Sequence, residues 1–175
     1  LKADGQIVGN LDVVSSIMIA SAFLNEFLVD FSIKYPKIQV NLREEEAYLL
    51  KDREERHFYL TSRLTEDIKR EKENIIPLIK DRMIILTKKD SVFNDQKSIS
   101  LKQISKWPLV LVAKNNWKES LFGHIFSLHN IELEKFLVTS SITGSIKCIE
   151  SGKYVGVSTK VLFSKLSQKL FFDTI

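Results

Sequence analysis

SSIMIASAFLNEFLVDFSIKYPKIQVNLR, residues 15–43, carries the clearest secondary-structure signal in the chain. Phe23, Phe27 and Phe31 recur every four residues, with Leu24 and Leu28 beside them, which predicts a helix over 16–35 with one apolar face. A hydroxyl at its start, from Ser15 or Ser16, can accept an otherwise unpaired backbone N–H. Proline has no N–H and disfavours the helical conformation of the residue before it, so Pro36 ends the helix.

Strands flank this helix on both sides. Ile38, Val40 and Leu42 alternate with polar residues, which predicts a strand with one buried face. Upstream, the apolar residues of 11–14 predict a strand that leads into the helix. The unit is therefore β-α-β, with Ser15 and Ser16 at the carboxyl end of its first strand, where open α/β sheets usually bind ligands.

Composition and charge limit the class of protein. The 175 residues are 44% hydrophobic and 27% charged, which suits one α/β domain or two small lobes. No apolar run approaches the roughly 20 residues of a membrane-spanning helix, so we expect no membrane partner. The single cysteine, Cys148, cannot form an internal disulfide and favours a cytoplasmic location. The net charge of +4 is spread along the chain and indicates nucleic-acid binding only weakly.

Strands and helices alternate along the rest of the chain. Further strands are predicted at 58–60, in 75–87 (two strands around a turn at Lys80-Asp81), and at 108–112, 136–138, 154–157 and 170–172. Helices are predicted within 44–56 and at 98–106, 117–128, 142–150 and 161–166. This alternation predicts an α/β fold with largely parallel strand pairing.

Small hydroxyl and amide side chains follow four of the predicted strands. The candidate ligand-binding residues among them are Ser15, Ser16, Thr61, Ser62, Arg63, Asn115, Thr139, Ser140 and Ser141. Such side chains, beside the free N–H groups of a helix start, can hold a small polar or anionic ligand. Arg63 can bind a carboxylate through two hydrogen bonds, and Lys114 adds charge. The alternative is that each hydroxyl only caps a helix; their recurrence at four strand ends favours the ligand.

Other chemistries find little support. His57, His124 and His129 are not spaced as metal ligands, so we expect no metal site. No nucleophile motif, phosphate-binding glycine loop or dinucleotide fingerprint is present. We therefore expect no catalytic residues, no cofactor and no enzyme.

Residues 31–44, FSIKYPKIQVNLRE, resemble the F-x₃-YP-x-I-x-V-x-L-x-E signature in the effector-binding domain of LysR-type transcriptional regulators. Similar segments follow in the family's order. They are PLIKD at 77–81, SISLKQI at 98–104 before WPLVL at 107–111, Ser140-Ser141 before a helix, and VGV at 155–157. The resemblance covers roughly residues 5–175.

This resemblance implies a type 2 periplasmic-binding-protein-like fold, with two α/β lobes, mostly parallel sheets and a small-molecule effector between the lobes. Lobe I would be residues 1–87 plus 169–175, and lobe II residues 88–168, with hinge strands near 83–89 and 168–170. The implied function is effector sensing and oligomerisation in a bacterial regulator. Arg63 and Lys114 add a lean towards an acidic effector. The rival is a solute-binding protein of a transporter with the same fold; an enzyme on this fold ranks lowest.

The resemblance also implies partners. DNA would be contacted only through an amino-terminal winged helix-turn-helix that this chain lacks, and the family's final strand and helix would follow Ile175. A homodimer would form through the helices at 16–35 and 117–128, and a tetramer in the full-length protein. Phe23, Phe27, Phe31 and Phe126 would lie either at that interface or in the core.

Overall fold

The computed structural model describes residues 2–3, 6–45, 57–62, 64, 75–89, 91–93, 98–114 and 116–164. Several predictions lie outside these residues. They concern Arg63 and Asn115, most of the helix expected within 44–56, the hinge strand near 168–170, the end of the helix at 161–166, and the strand at 170–172.

The described residues form strands and helices that mostly alternate. The strands are β1 (Lys2–Ala3), β2 (Gln6–Ile7), β3 (Gly9–Ser15), β4 (Ile38–Glu44), β5 (His57–Leu60), β6 (Met83–Leu86), β7 (Leu109–Val112), β8 (Phe136–Thr139) and β9 (Val155–Thr159). Helix α1 is continuous through Ile17–Ile19, a π-helical segment Ala20–Leu24 and Asn25–Lys34. The others are α2 (Leu101–Ile104), α3 (Leu121–Leu128), α4 (Ile142–Glu150) and α5, described over residues 160–164. In this part of the chain no helix has the length and apolar character to cross a membrane.

Two mostly parallel sheets organise the chain. The first has the order β4-β3-β5, and β3 runs parallel to both neighbours. The second has the order β6-β9-β7-β8, in which β7 is parallel to β8 and β9, while β6 is antiparallel to β9. The predicted α/β class with largely parallel pairing is therefore confirmed.

Each sheet has its own apolar core, and a third cluster joins α1 to α5. The second sheet packs around Phe93, Ile104, Leu109, Leu111, Phe126 and Val155. Against the first sheet, Leu24 and Leu28 of α1 cover Val13. The third cluster consists of Ile19 and Ala22 of α1 with Leu162 of α5. α5, which follows β9 of the second sheet, thus contacts α1, which follows β3 of the first sheet.

The buried face of α1 contains only part of the predicted apolar face. Ala20, Leu24 and Leu28 are buried, whereas Phe27 is 62% exposed. The N–H of Asn25 donates to the carbonyl oxygen of Ala20 in the π-helical segment. Phe27 follows the π-helical segment and lies in the regular α-helical part of α1. At 3.6 residues per turn it is rotated by about 100° from the buried Leu28, and so it lies on the exposed side.

Only the second of the two strands predicted in 75–87 is present. β6 pairs with β9, whereas 75–82 contains no strand. Pro77 has no N–H for a ladder, and Asp81 is bonded to the start of α5 rather than forming a turn between paired strands.

The helix predicted at 117–128 is divided by Ser120. A 3₁₀ turn, Trp117–Glu119, precedes α3, and Ser120 between them is extended (φ −75°, ψ 164°). Its hydroxyl accepts a hydrogen bond from the N–H of Gly123, so a new helix begins there.

Candidate functional site

A cleft lies where α1, α3 and α5 begin, and its walls come from both sheets. It contains about 540 Å³ of empty space, including the part open to solvent. Half of its lining residues carry hydroxyl groups: Ser16, Thr61, Ser62, Ser120, Ser158 and Thr159. The rest are apolar: Ile17, Met18, Val112, Leu121, Phe122 and Leu162.

The first sheet contributes three hydroxyls through two adjacent strands. Ser16 follows β3 and caps α1, because its Oγ accepts a hydrogen bond from the N–H of Ile19 at 3.4 Å. Thr61 and Ser62 follow β5, and the Thr61 hydroxyl donates to the Ser62 carbonyl oxygen at 3.4 Å. Because β3 and β5 are parallel neighbours, their carboxyl ends meet at one edge of the sheet.

The second sheet contributes the other three hydroxyls. Ser158 and Thr159 end β9 and are 1% and 7% exposed, so most of their surface is covered by protein. Ser120 begins α3, and its hydroxyl donates to the Trp117 carbonyl oxygen at 2.6 Å. Val112, at the end of β7, supplies apolar surface next to them.

Three of the predicted site residues come together in this cleft: Ser16, Thr61 and Ser62. Ser15 does not line it, because its side chain is completely buried and donates to the Ser16 carbonyl oxygen at 3.5 Å.

Residues 139–141 also lie outside the cleft lining. Thr139 Oγ1 accepts a hydrogen bond from the N–H of Ser141 at 3.1 Å, and Ser141 Oγ accepts one from the N–H of Gly144 at 3.0 Å. Ser140 is exposed. Ser141 therefore acts as the cap of α4, the alternative that the sequence left open.

Sequence reasoning missed Ser120, Ser158 and Thr159. The signal that selected the other sites, a hydroxyl between a strand and a helix, is also present at 158–159. Ser120 could have been found only by recognising that 117–128 contains a second helix start.

The described lining of the cleft contains no charged side chain. Lys114 Nζ donates to the Glu44 carbonyl oxygen at 3.3 Å, and so connects the residue at the end of β4 to the segment after β7. Burial raises the pKa of Asp81, but the nearby Thr159 hydroxyl and the N–H groups of Val161, Arg82 and Leu162 outweigh this effect and lower the pKa below its ordinary value. The hydroxyls that line the cleft are neutral and can both donate and accept hydrogen bonds.

The chemistry of the cleft suits binding of a small organic molecule. Its hydroxyls can hold polar groups, and its apolar side chains can cover a ring or short chain. Across the described residues, His, Cys, Asp and Glu form no group of three or more that could hold a metal ion.

Comparison with known protein families matches residues 4–168 to the LysR substrate binding domain. The chain belongs to this family. The resemblance seen in the sequence is thereby confirmed, and this membership favours the LysR effector-binding domain over the solute-binding alternative. A search of curated proteins gave no significant match.

Solved structures of LysR-family regulators share the fold of this LysR domain. HinK from Pseudomonas aeruginosa is 15% identical with a TM-score of 0.54, over 89% of this chain and 53% of that one. The probable transcriptional regulator PA0477 from the same organism is 11% identical with a TM-score of 0.60, over 99% of this chain and 60% of that one. The BenM effector binding domain, solved with its effector benzoate, is 13% identical with a TM-score of 0.54, over 90% of this chain and 73% of that one. The chain thus spans about half the length of HinK.

Proposed function

We propose that this LysR domain senses a small-molecule effector for a cytoplasmic bacterial transcription regulator, and that the effector binds in the cleft between the two sheets. The observation that carries the proposal is the set of hydroxyls from both sheets around one cleft, in a chain of this family. Benzoate, the effector named for the BenM domain, is a small aromatic acid and illustrates the size of molecule expected.

The lining indicates the chemistry of the effector. Hydroxyls at several positions favour a molecule with two or more oxygen atoms, and Ile17, Leu121 and Phe122 favour an apolar ring or chain. Two cations would favour an acid: Arg63, adjacent in sequence to Ser62, and Lys114, two residues after Val112 of the lining. A small organic acid with an apolar body therefore heads the candidates. Ser15, Asn115 and residues 139–141 stay in the proposed site because each follows a predicted strand.

Signalling requires that the effector bind one arrangement of the two sheets better than another. A molecule that bonds Ser62 from the first sheet and Thr159 from the second favours the arrangement in which both reach it. In the full-length regulator this change would pass to a DNA-binding domain outside this chain, in keeping with the chain's coverage of only 53% of HinK.

We expect a dimer, and a tetramer in the full-length protein; the exposed face of α1 supports the dimer. Phe27 and Ile33 are 62% and 74% exposed, and the ring of Phe27 lies 6.3 Å from that of Phe31. Burying such a face against a second copy would remove apolar surface from water. Phe126, by contrast, is 1% exposed and belongs to the core of the second sheet.

Sedimentation of wild type and Phe27→Ser tests the dimer: a monomeric wild type at high micromolar concentration would contradict it.

A thermal-shift screen tests the sensing function. The panel should contain benzoate, other small aromatic and aliphatic acids, and the neutral amide of each. A ligand that binds only the folded state raises the free energy of unfolding, by about 2.7 kcal/mol when its concentration is one hundred times Kd. The melting temperature rises with it. The proposal predicts that acids shift the transition more than their amides. A panel with no shift at millimolar concentration would contradict it.

A further inference from the structure

Asp81 holds the start of α5 although 80 residues separate it from Val161 in the chain. The N–H of Val161 donates to both carboxylate oxygens of Asp81, each at 3.1 Å, and the N–H of Arg82 donates to Oδ1 at 2.7 Å. In the reverse direction, the N–H of Lys160 donates to the Arg82 carbonyl oxygen at 2.9 Å. These bonds tie the segment that leads into β6 to the turn between β9 and α5.

The same turn forms one wall of the cleft. Ser158, Thr159 and Leu162 all line it, and Leu162 also packs against Ile19 of α1. The Thr159 hydroxyl lies near the Asp81 carboxylate and helps to lower its pKa, but Oγ1 makes no hydrogen bond of ordinary geometry in the described structure. That hydroxyl is therefore held at the cleft by its neighbours rather than by a bond of its own.

Elementary helix chemistry explains why a carboxylate is placed there. The first N–H groups of a helix have no partner within it, and a negative charge complements the positive end of the helix dipole. α5 begins at Lys160, directly after β9, and the cap comes from the segment before β6 instead of the residue before the helix. The position of the wall thus depends on a residue from another part of the chain.

We propose that Asp81 is a positioning residue for the effector cleft: by capping α5 it fixes the wall made by Ser158, Thr159 and Leu162. Its consequence for effector affinity rests on the proposed function. The cap itself is a property of the unliganded protein, and it can be tested whether or not an effector is known.

Amide hydrogen exchange of the purified chain provides that test. Asp81→Ala should speed exchange at Arg82, Val161 and Leu162 by about fivefold, the usual effect of losing a helix cap. The exchange rate at Thr159 should rise as well, because Asp81 no longer holds the turn that contains this residue. Asp81→Asn should restore most of the protection, since asparagine caps helices about as well as aspartate. Asp30→Asn, on the exposed side of α1, is the matched control and should leave these rates unchanged.

Exchange in β7 separates positioning from general stability. In Asp81→Ala the rates over 109–112 should stay at the wild-type values. An equal rise across β7 and α5 would show that Asp81 only stabilises the fold, and would overturn the proposal. If Asp81→Ala does not fold, the exchange rates of the wild-type protein test the proposal instead. It would also be overturned if the amides of Val161 and Arg82 exchanged as fast as those of an unstructured peptide. Failure of the effector screen would leave this result intact.

Discussion

The N–H of Val161 donates to both carboxylate oxygens of Asp81 at 3.1 Å, and this contact makes the start of α5 sensitive to acid. Burial acts to raise the pKa of Asp81, but the nearby Thr159 hydroxyl and three backbone N–H groups lower it below the ordinary value of 3.8. A carboxyl with a lowered pKa contributes stability above its unfolded-state pKa, and this contribution is lost as the pH falls through the folded-state pKa.

Asp81→Asn should therefore be less stable than wild type by a constant amount from pH 7 to about pH 5, a window that lies above the pKa of an ordinary aspartate. The difference should shrink below that window, as wild-type Asp81 becomes protonated. Urea unfolding of both proteins at several pH values measures it, with Asp30→Asn as the control for loss of one charge. A difference that grows on acidification would contradict the assignment.

Ser141→Ala should lower the free energy of unfolding by about 1 kcal/mol, because its hydroxyl caps α4. The neighbouring Ser140→Ala, at an exposed position, should change it by less than about 0.5 kcal/mol. Denaturant unfolding of the two variants makes a matched comparison. Equal losses in both would show that the Ser141 cap contributes nothing of its own.

Leu162→Ala should cost about 2 kcal/mol, the low end for a buried leucine, because the cluster with Ile19 and Ala22 is small. Lys160→Ala, exposed on the same helix, should cost less than about 0.5 kcal/mol. Thermal unfolding measures both. An unchanged melting temperature in Leu162→Ala would mean that α5 does not pack on α1 in solution.

Gly123→Ala should destabilise the chain by about 1–3 kcal/mol although alanine is the better helix former. A Cβ at this position in α3 would collide with the carbonyl oxygen of Trp117 and the backbone of Lys118 in the preceding 3₁₀ turn. Ser127→Ala, exposed in the same helix, is the control. A more stable Gly123→Ala protein would show that the turn lies farther from α3.

Local signals in the sequence were sufficient for the β-α-β unit. The predicted helix over 16–35 corresponds to α1, from Ile17 to Lys34, because the cap at Ser16 and the break at Pro36 act on adjacent residues. The spacing of the phenylalanines left open whether Phe27 lies in the core or on the surface, and the structure exposes it.

The site was only half predictable for a different reason. Ser16, Thr61 and Ser62 follow β3 and β5, whose pairing brings their ends together. In the second sheet the order β6-β9-β7-β8 puts the end of β9 at the cleft. That order is set by pairing between distant strands, and the sequence pattern of a single strand does not report it. Ser158 and Thr159, which line the cleft, were therefore not among the predicted residues.

The central claim, that one effector is held by both sheets, is tested most directly by calorimetry with a compound that passes the thermal-shift screen. Ser62→Ala removes a hydroxyl of the first sheet, and Thr159→Val removes one of the second. Each lost hydrogen bond is worth about 0.5–1.5 kcal/mol, so each variant should weaken binding by about two- to twelvefold. Ser127→Ala, at an exposed position of α3, should bind as wild type does. Wild-type affinity in both Ser62→Ala and Thr159→Val would contradict the account.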